Sequence, residues 1–293
     1  MKKIVAFVLS IIMLAGCAVL FSACGGKSDY AYGKDLLAVD SQLDALNGLV
    51  KGDADIAVID SVMAGYYMNT GKKYADFQIL KGVVLAEEEY GIGAKKGNDA
   101  LISKINEGMI ALANTEYKTV ADTYGLTSEL LVKADTVNPK AGATDNSWND
   151  VVASGKLIIG ITKFAPIAYD ENGELIGFDI DLAKAVVAYL NTTYGTSITI
   201  DFEVITWEQK EALLENGSID LVWNGMTITE ERSEKMAMSI PYLANKQVAI
   251  VKKSEASKYG SDLEAFKENT KKCIFIAEKG SAGEALINPA VGE

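Results

Sequence analysis

The chain has 293 residues, 49% of them hydrophobic, enough for one large or two smaller packed domains. Lys and Arg number 28 against 40 Asp and Glu, a net charge of −12, which argues against nucleic acid as a partner and against electrostatic docking on anionic lipid. There is no histidine, so histidine-based catalytic triads and most zinc sites are excluded.

Read from the N-terminus, Met1-Lys2-Lys3 is a positive start and 4–23 is an unbroken apolar run, the pattern of an export signal. The run is nearly long enough to span a bilayer uncleaved, but small residues before a cysteine favour cleavage. Cys24 is the expected cut and lipidation point, because the polar tether Gly25-Gly26-Lys27-Ser28 follows it; Cys17, after Leu14-Ala15-Gly16, is the alternative. Cys273 would then be the one cysteine outside the leader, and its apolar neighbours read as a buried, inert thiol.

Beyond the leader, short β-rich runs alternate with amphipathic helices, which signals α/β architecture. Strands are predicted at 55–59, 90–94, 156–161, 198–204, 220–223, 247–251 and 273–277, and helices at 41–50, 99–113, 179–190 and 208–215. In the 99–113 helix Leu101, Ile105 and Met109 recur four residues apart and give one buried stripe. Residues 133–149, with Asn138-Pro139, Gly142 and many small polar side chains, read as a linker. Two segments echo each other: Leu49-Val50-Lys51-Gly52-Asp53-Ala54-Asp55 and Leu214-Glu215-Asn216-Gly217-Ser218-Ile219-Asp220. Each is a helix end, a glycine stop, a turn, an aspartate and a strand. In this register Asp60 falls opposite Gly225, both at the carboxyl end of a strand, where α/β sheets bind ligands.

Of the 28 basic residues, 27 are lysine; the single arginine is Arg232, closing Trp223-Asn224-Gly225-Met226-Thr227-Ile228-Thr229-Glu230-Glu231-Arg232. Arginine differs from lysine in gripping a carboxylate through two parallel bonds, so this position is a candidate anion clamp; an exposed arginine paired with Glu231 or Glu234 is the plainer alternative.

Lys156 to Thr162, then Pro166, Tyr169 and Gly173, then Gly177-Phe178-Asp179-Ile180-Asp181-Leu182-Ala183, with Trp207, 224–229, Arg232 and Ser239-Ile240-Pro241-Tyr242, resembles the start of the family 3 extracellular solute-binding proteins, which bind polar amino acids for ABC importers. Gly280-Ser281-Ala282-Gly283-Glu284 resembles the beginning of that family's second lobe. Residues 44–60, 87–97 and 98–125 resemble its later parts, so the order is inverted and the resemblance implies a circular permutation; a misassembled tandem is the alternative. The implied fold is α/β and two-lobed, of the type II periplasmic-binding-protein kind with two hinge strands. The implied organisation is a leader at 1–24, the second part of lobe 2 at 25–87, a hinge strand at 88–97, lobe 1 at 98–246, a second hinge strand at 247–253 and the first part of lobe 2 at 254–293.

The resemblance implies a lipid-anchored monomer on the outer face of the bacterial membrane that captures a free amino acid without cofactor, metal or chemistry and delivers it to an ABC permease. Arg232 resembles the α-carboxylate clamp and Asp60 the α-ammonium acceptor on the other lobe. Gly225, Thr227, Thr229, Asn224 and Ser281 match positions with polar ligand contacts, and Phe164 and Trp207 match aromatics around the ligand side chain. The stretch Gly160-Ile161-Thr162-Lys163 contains no acid, which leans toward a neutral amino acid, and Glu208 reads as a helix-start charge. Micromolar half-saturation, roughly −8 kcal/mol, is expected of such a site. A dehydratase-like enzyme on the same fold and a non-binding remnant are the competing readings.

Overall fold

The computed structural model describes residues 30–70 and 72–291; the leader, Cys17 and Cys24 lie outside them. In chain order the elements are β1 (Asp35–Val39), α1 (Gln42–Lys51), β2 (Ile56–Asp60), α2 (Ser61–Thr70), β3 (Phe77–Lys95), α3 (Asp99–Ala111), α4 (Glu116–Thr123), α5 (Ser147–Ser154), β4 (Lys156–Ile161), β5 (Tyr169–Glu171), β6 (Glu174–Ile176) and α6 (Phe178–Tyr194). There follow β7 (Thr199–Val204), α7 (Lys210–Glu215), β8 (Leu221–Thr227), α8 (Glu230–Lys235), β9 (Met236–Met238), β10 (Leu243–Lys252), α9 (Leu263–Asn269), β11 (Ile274–Glu278) and α10 (Ala282–Ile287).

Nine strands form one curled sheet in the order β1-β11-β2-β10-β3-β8-β4-β7, with β9 also on β3. The sheet divides into two lobes. β4, β7, β8, β9 and the end of β3 belong to lobe 1; β1, β11, β2, most of β10 and the start of β3 belong to lobe 2. Each lobe has a parallel core with an antiparallel strand added. The passage between lobes is made where Leu243 to Gln247 pairs antiparallel with Ala86 to Tyr90. The hinge pairing therefore lies N-terminal to the predicted 247–253 segment, because from Gln247 onward β10 is already paired with β2.

Lobe 2 packs both faces of its sheet. Along β2 every residue is buried, and the faces alternate: Ile56 and Val58 join a core with Phe266 and Phe275, whereas Ala57 and Ile59 join the core that holds Leu46 and Leu49 of α1. The helix α1 starts where the Ser41 hydroxyl accepts the Asp44 amide at 3.0 Å and stops at Gly52, left-handed at φ 85°.

The repeated helix–glycine–aspartate segment has a structural counterpart. Asp55 exchanges two bonds with Ile274 of β11: its amide donates to the Ile274 carbonyl at 2.9 Å and its carboxylate accepts the Ile274 amide at 2.8 Å. Asp220 does the same to Ile158 of β4, at 2.8 and 2.7 Å. Each aspartate thus docks its strand onto a parallel neighbour, once in each lobe.

The sequence-predicted elements survive with shifted ends. The strand predicted at 90–94 is the end of the 19-residue β3, β1 has no counterpart among the predicted strands, and Trp207–Gln209 is a 3₁₀ turn ahead of α7. The 133–149 linker is an ordered strap: Asn138 donates to the Ser103 carbonyl at 2.9 Å, Asp145 accepts the Ala100 amide at 2.7 Å, and α5 begins at Ser147. At the other end of the molecule the Ala31 amide donates to the Ile287 carbonyl at 2.8 Å, so both ends of the described chain lie in lobe 2. Among the described residues no helix is long and apolar enough to cross a membrane. Cys273 is half-buried just before β11, and burial pushes its thiol up.

Candidate functional site

The carboxyl ends of β2 and β8 face each other across the cleft between the lobes. Gly225 sits in β8 at φ 60°, and a Cβ there would stand 2.7 Å from Phe164 Cζ, so only glycine fits. Its amide donates to Asp179 Oδ2 at 2.8 Å and to the Tyr242 hydroxyl at 3.2 Å. Tyr242 in turn donates to Asp179 at 2.8 Å. Burial pushes the Asp179 carboxyl up to about 7, opposed by those two donors.

Arg232 is 7% exposed on α8. Its Nη1 donates to the Thr227 carbonyl at 2.8 Å within lobe 1, and its Nη2 donates to the Gly280 carbonyl of lobe 2 at 3.2 Å. Lys210 reaches the same Gly280 carbonyl at 3.2 Å and lies 4.8 Å over the Trp207 ring. Burial, then the neighbouring Arg232 charge, brings the Lys210 ammonium down to about 8. At the rim Lys279 of lobe 2 pairs with Glu208 at 2.9 Å, so Glu208 ties the lobes rather than only opening its helix.

Opposite, Asp60 is 4% exposed at the end of β2. Gln42 holds it on two sides, donating from Nε2 to Oδ2 at 2.5 Å and accepting the Asp60 amide at 2.9 Å. Asn245 donates to Asp60 Oδ1 at 2.7 Å, and Gln247 donates to the same oxygen. Asn245 and Gln247 each also donate to Glu88 Oε2, both at 3.0 Å, so two amide groups bridge two carboxylates. Thr227 adds a third bond to Glu88 at 3.1 Å. Burial pushes Asp60 up, opposed by Gln42 and Asn245. Burial, then the Asp60 charge, brings Glu88 up to about 7. Glu278, buried on β11, is raised to about 8 by the same two causes.

The lobes meet in this conformation. The inner cleft encloses about 20 Å³, and Asp60, Arg232, Phe164, Trp207, Asn224, Gly225, Thr227 and Ser281 all line it. Thr229 stands outside it. The Thr229 hydroxyl caps α8 by accepting the Arg232 amide at 3.1 Å, and the Ser281 hydroxyl caps α10 by accepting the Glu284 amide at 3.1 Å. Asn224 is paired with Thr162, its oxygen accepting from Oγ1 at 2.7 Å and from the amide at 3.1 Å. Four of the predicted polar residues thus spend their hydrogen bonds on building the site: Gly225, Thr229, Asn224 and Ser281. Among the described residues no group of three or more His, Cys, Asp or Glu is arranged to hold a metal ion.

A family model described as bacterial extracellular solute-binding proteins, family 3, matches residues 157–286. Over that stretch the chain is similar to this family. It is similar to a glutamine-binding protein from Geobacillus stearothermophilus, 28% identical over 194 residues, 63% of this chain and 69% of the relative. An ABC transporter glutamine-binding protein from Bacillus subtilis is 28% identical over 56% of this chain and 59% of its own. A probable histidine-binding protein from Neisseria gonorrhoeae is 34% identical over 34% of this chain and 36% of its own. The chain therefore spans from about a third to about two thirds of these relatives. Among solved structures, an ABC uptake transporter substrate-binding protein from Streptococcus pneumoniae with bound histidine is 38% identical over 31% of this chain and 35% of its own, with a TM-score of 0.27.

Against this family pattern the sequence reading passes over Gln42, Glu88, Asn245, Gln247, Lys210 and Glu278. Alternation is the available signal for three of them. In Glu87-Glu88-Glu89 the outer two are exposed and Glu88 points inward, and along β10 the polar Asn245 and Gln247 occupy the inward-facing alternate positions.

Proposed function

We propose that this chain is a family 3 solute-binding protein, the exported substrate-binding lipoprotein of an amino-acid ABC importer. It captures a free amino acid between its lobes and passes it to a membrane permease. It acts as a monomer anchored through Cys24, or alternatively Cys17, on the outer face of the cytoplasmic membrane, with no cofactor. The observation that carries the reading is that Arg232 of lobe 1 and Asp60 of lobe 2 are both buried in one cleft. A zwitterion supplies a carboxylate to the first and an ammonium to the second, and so bridges the lobes. A ligand that contacts both lobes favours the closed state by its differential affinity for it.

An amino acid is admitted when the contacts of Arg232 and Lys210 with Gly280, and of Lys279 with Glu208, part. Its carboxylate then replaces the Gly280 carbonyl on the guanidinium, and a charged acceptor binds more strongly than the neutral one it displaces. Thr227, Phe164 and Trp207 form the wall beside it, and Gly225, Asn224, Thr229 and Ser281 hold that wall in shape. The named relatives are binding proteins, which favours capture over turnover.

Thermal unfolding of the purified chain with each common amino acid in turn tests this. At about 100 times its dissociation constant a ligand adds roughly 2.7 kcal/mol, a rise of a few degrees. A melting temperature that no amino acid moves would sink the reading.

The permuted order belongs to the same proposal. In lobe 2 the parallel strands run β1-β11-β2, yet β11 and α10 come last in the chain and β1 first. Joining 291 to 30 by a short linker and opening the strap between Gly142 and Ala143 should give a protein with the same ligand preference and a melting temperature within about 5 °C, roughly 1.5–3 kcal/mol for a chain of this size. Failure of that chain to fold cooperatively would favour the misassembled tandem.

A further inference from the structure

A second, larger cavity of about 810 Å³ adjoins the inner cleft, and the two share Thr227 and Ala282 as walls. Glu88 stands at the junction. Its Oε2 is bridged through Asn245 and Gln247 to Asp60 of the inner cleft, while Glu88 itself lines the larger cavity. Part of that cavity's wall is apolar, at Ile228, Ala244, Ala282, Ala285 and Leu286, and part is charged, at Glu87, Glu89 and Lys246, of which Lys246 pairs with Glu87 at 3.2 Å. An aliphatic chain could lie along the apolar part with a charged group at one end.

The charges of the cleft do not balance. Asp60 and Glu278 are buried and Glu88 is half-buried, against two buried cations, Arg232 and Lys210. None of the three carboxylates forms an ion pair with either cation; among the described residues the ion pairs lie elsewhere. Fully ionised, the three carboxylates would exceed the two cations by one; without a cationic ligand burial keeps Glu88 protonated up to about 7 and Glu278 up to about 8. A ligand carrying one extra positive charge lets Glu88 ionise beside it. One further atom points the same way: Gln247 is 2% exposed and lines the inner cleft, and its Oε1 has no hydrogen-bond partner. A buried acceptor without a donor calls for a donor-rich ligand.

Resting on the amino-acid reading above, we infer that this site selects an amino acid with a cationic side chain, with Asp60 taking the α-ammonium, Glu88 at the cavity junction taking the side-chain cation and the walls formed by Ile228, Ala282 and Ala285 holding its aliphatic stem. The acid-free loop at 160–163 leans toward a neutral ligand when read as sequence; the fold brings the acid from the hinge strand β3 instead. A side-chain cation satisfies Glu88 as a charge-assisted donor, which the amide of Asn245 or Gln247 does more weakly.

Calorimetric titration of the purified chain with L-lysine, L-ornithine and L-arginine, set beside L-norleucine and L-glutamine, tests the inference. Norleucine keeps the apolar stem and lacks the cation. The cationic set is expected to bind at least tenfold more tightly. Glu88→Gln, close in shape, should lower the ratio of lysine to norleucine affinity at least fivefold, and Glu88→Asp should restore part of that ratio. Those changes correspond to charge-assisted bonds of the usual strength. Tighter binding of norleucine or glutamine than of lysine overturns the inference and leaves amino-acid capture standing, as does a Glu88→Gln variant that loses both sets equally. Binding of no amino acid at all overturns both.

Discussion

Arg232→Lys is expected to weaken amino-acid binding by about 10- to 150-fold while leaving the unliganded fold intact. The guanidinium uses its two ends differently: Nη1 is fixed on the Thr227 carbonyl at 2.8 Å, and Nη2 reaches across the cleft. A carboxylate arriving from the cleft meets a donor already oriented by Thr227. Lysine retains the charge but has a single nitrogen, so it can satisfy Thr227 or the ligand with good geometry, not both. Losing one hydrogen bond to a charged group costs about 1.5–3 kcal/mol, which sets the size of the effect. Stability should change less, because lysine can still serve the Thr227 carbonyl and Thr229 still caps α8 from its own hydroxyl. Titration of the variant with the preferred amino acid, beside a melting curve without ligand, separates the two. Affinity within threefold of the parent would mean that Arg232 only staples the closed lobes together through Gly280.

The fold is legible in the sequence where local rules and tertiary demands agree. The stretch from β4 to β8 carries its own strand runs, glycine stops and helix stripe, and each lies within a few residues of its predicted place. The echo around Asp55 and Asp220 is readable because the same physical task, docking one parallel strand on the next, is solved twice with the same residues. What escapes depends on partners far away in the chain. β1, with its half-exposed pattern, is held as a parallel edge strand by β11, more than 230 residues later, and nothing local marks it. The first half of β3 is half-buried and reads as loop until β10 pairs with it.

The site follows the same division. Arg232 and Asp60 stand out because a lone arginine and a strand-end aspartate are conspicuous residue types. Glu88 is hidden inside a run of three glutamates, which ordinarily reads as a solvated face. Only the strand alternation, together with Asn245 and Gln247 arriving on the neighbouring strand, turns the middle one into the cleft. Gln42, at the first position of α1, looks like an ordinary helix residue and instead clasps Asp60 from both sides.

The unliganded protein is expected to lose stability as pH rises from about 4.5 to about 8 and to regain some above that. Burial raises Asp179 from 3.8 to about 7, Glu88 from 4.5 to about 7 and Glu278 from 4.5 to about 8. In the unfolded chain all three release their protons near pH 4, whereas the folded state keeps them until pH 7 to 8. Across that window the folded state binds more protons than the unfolded one, so the slope of unfolding free energy against pH is negative. Lys210 reverses it: burial lowers its folded value from 10.5 to about 8, so above pH 8 the unfolded chain binds the extra proton and stability climbs. A tenfold difference in proton affinity between the two states is worth about 1.4 kcal/mol, so even one of these carboxyls, behaving only in part as described, gives a fall of about 2 kcal/mol or more between pH 5 and 8. Urea midpoints at pH 5, 6.5, 8 and 9.5 measure the profile, and a midpoint that is flat or rising from 5 to 8 would show these carboxyls ionised in the folded state. Asp179→Asn should flatten part of the fall, since the amide can still accept from Gly225 and Tyr242 but no longer titrates. A cationic ligand should flatten another part: its side-chain charge beside Glu88 favours the ionised carboxylate, lowers its folded value and removes that group from the window. The pH dependence of stability, with and without ligand, thus reads out the same charge imbalance that the binding specificity is inferred to satisfy.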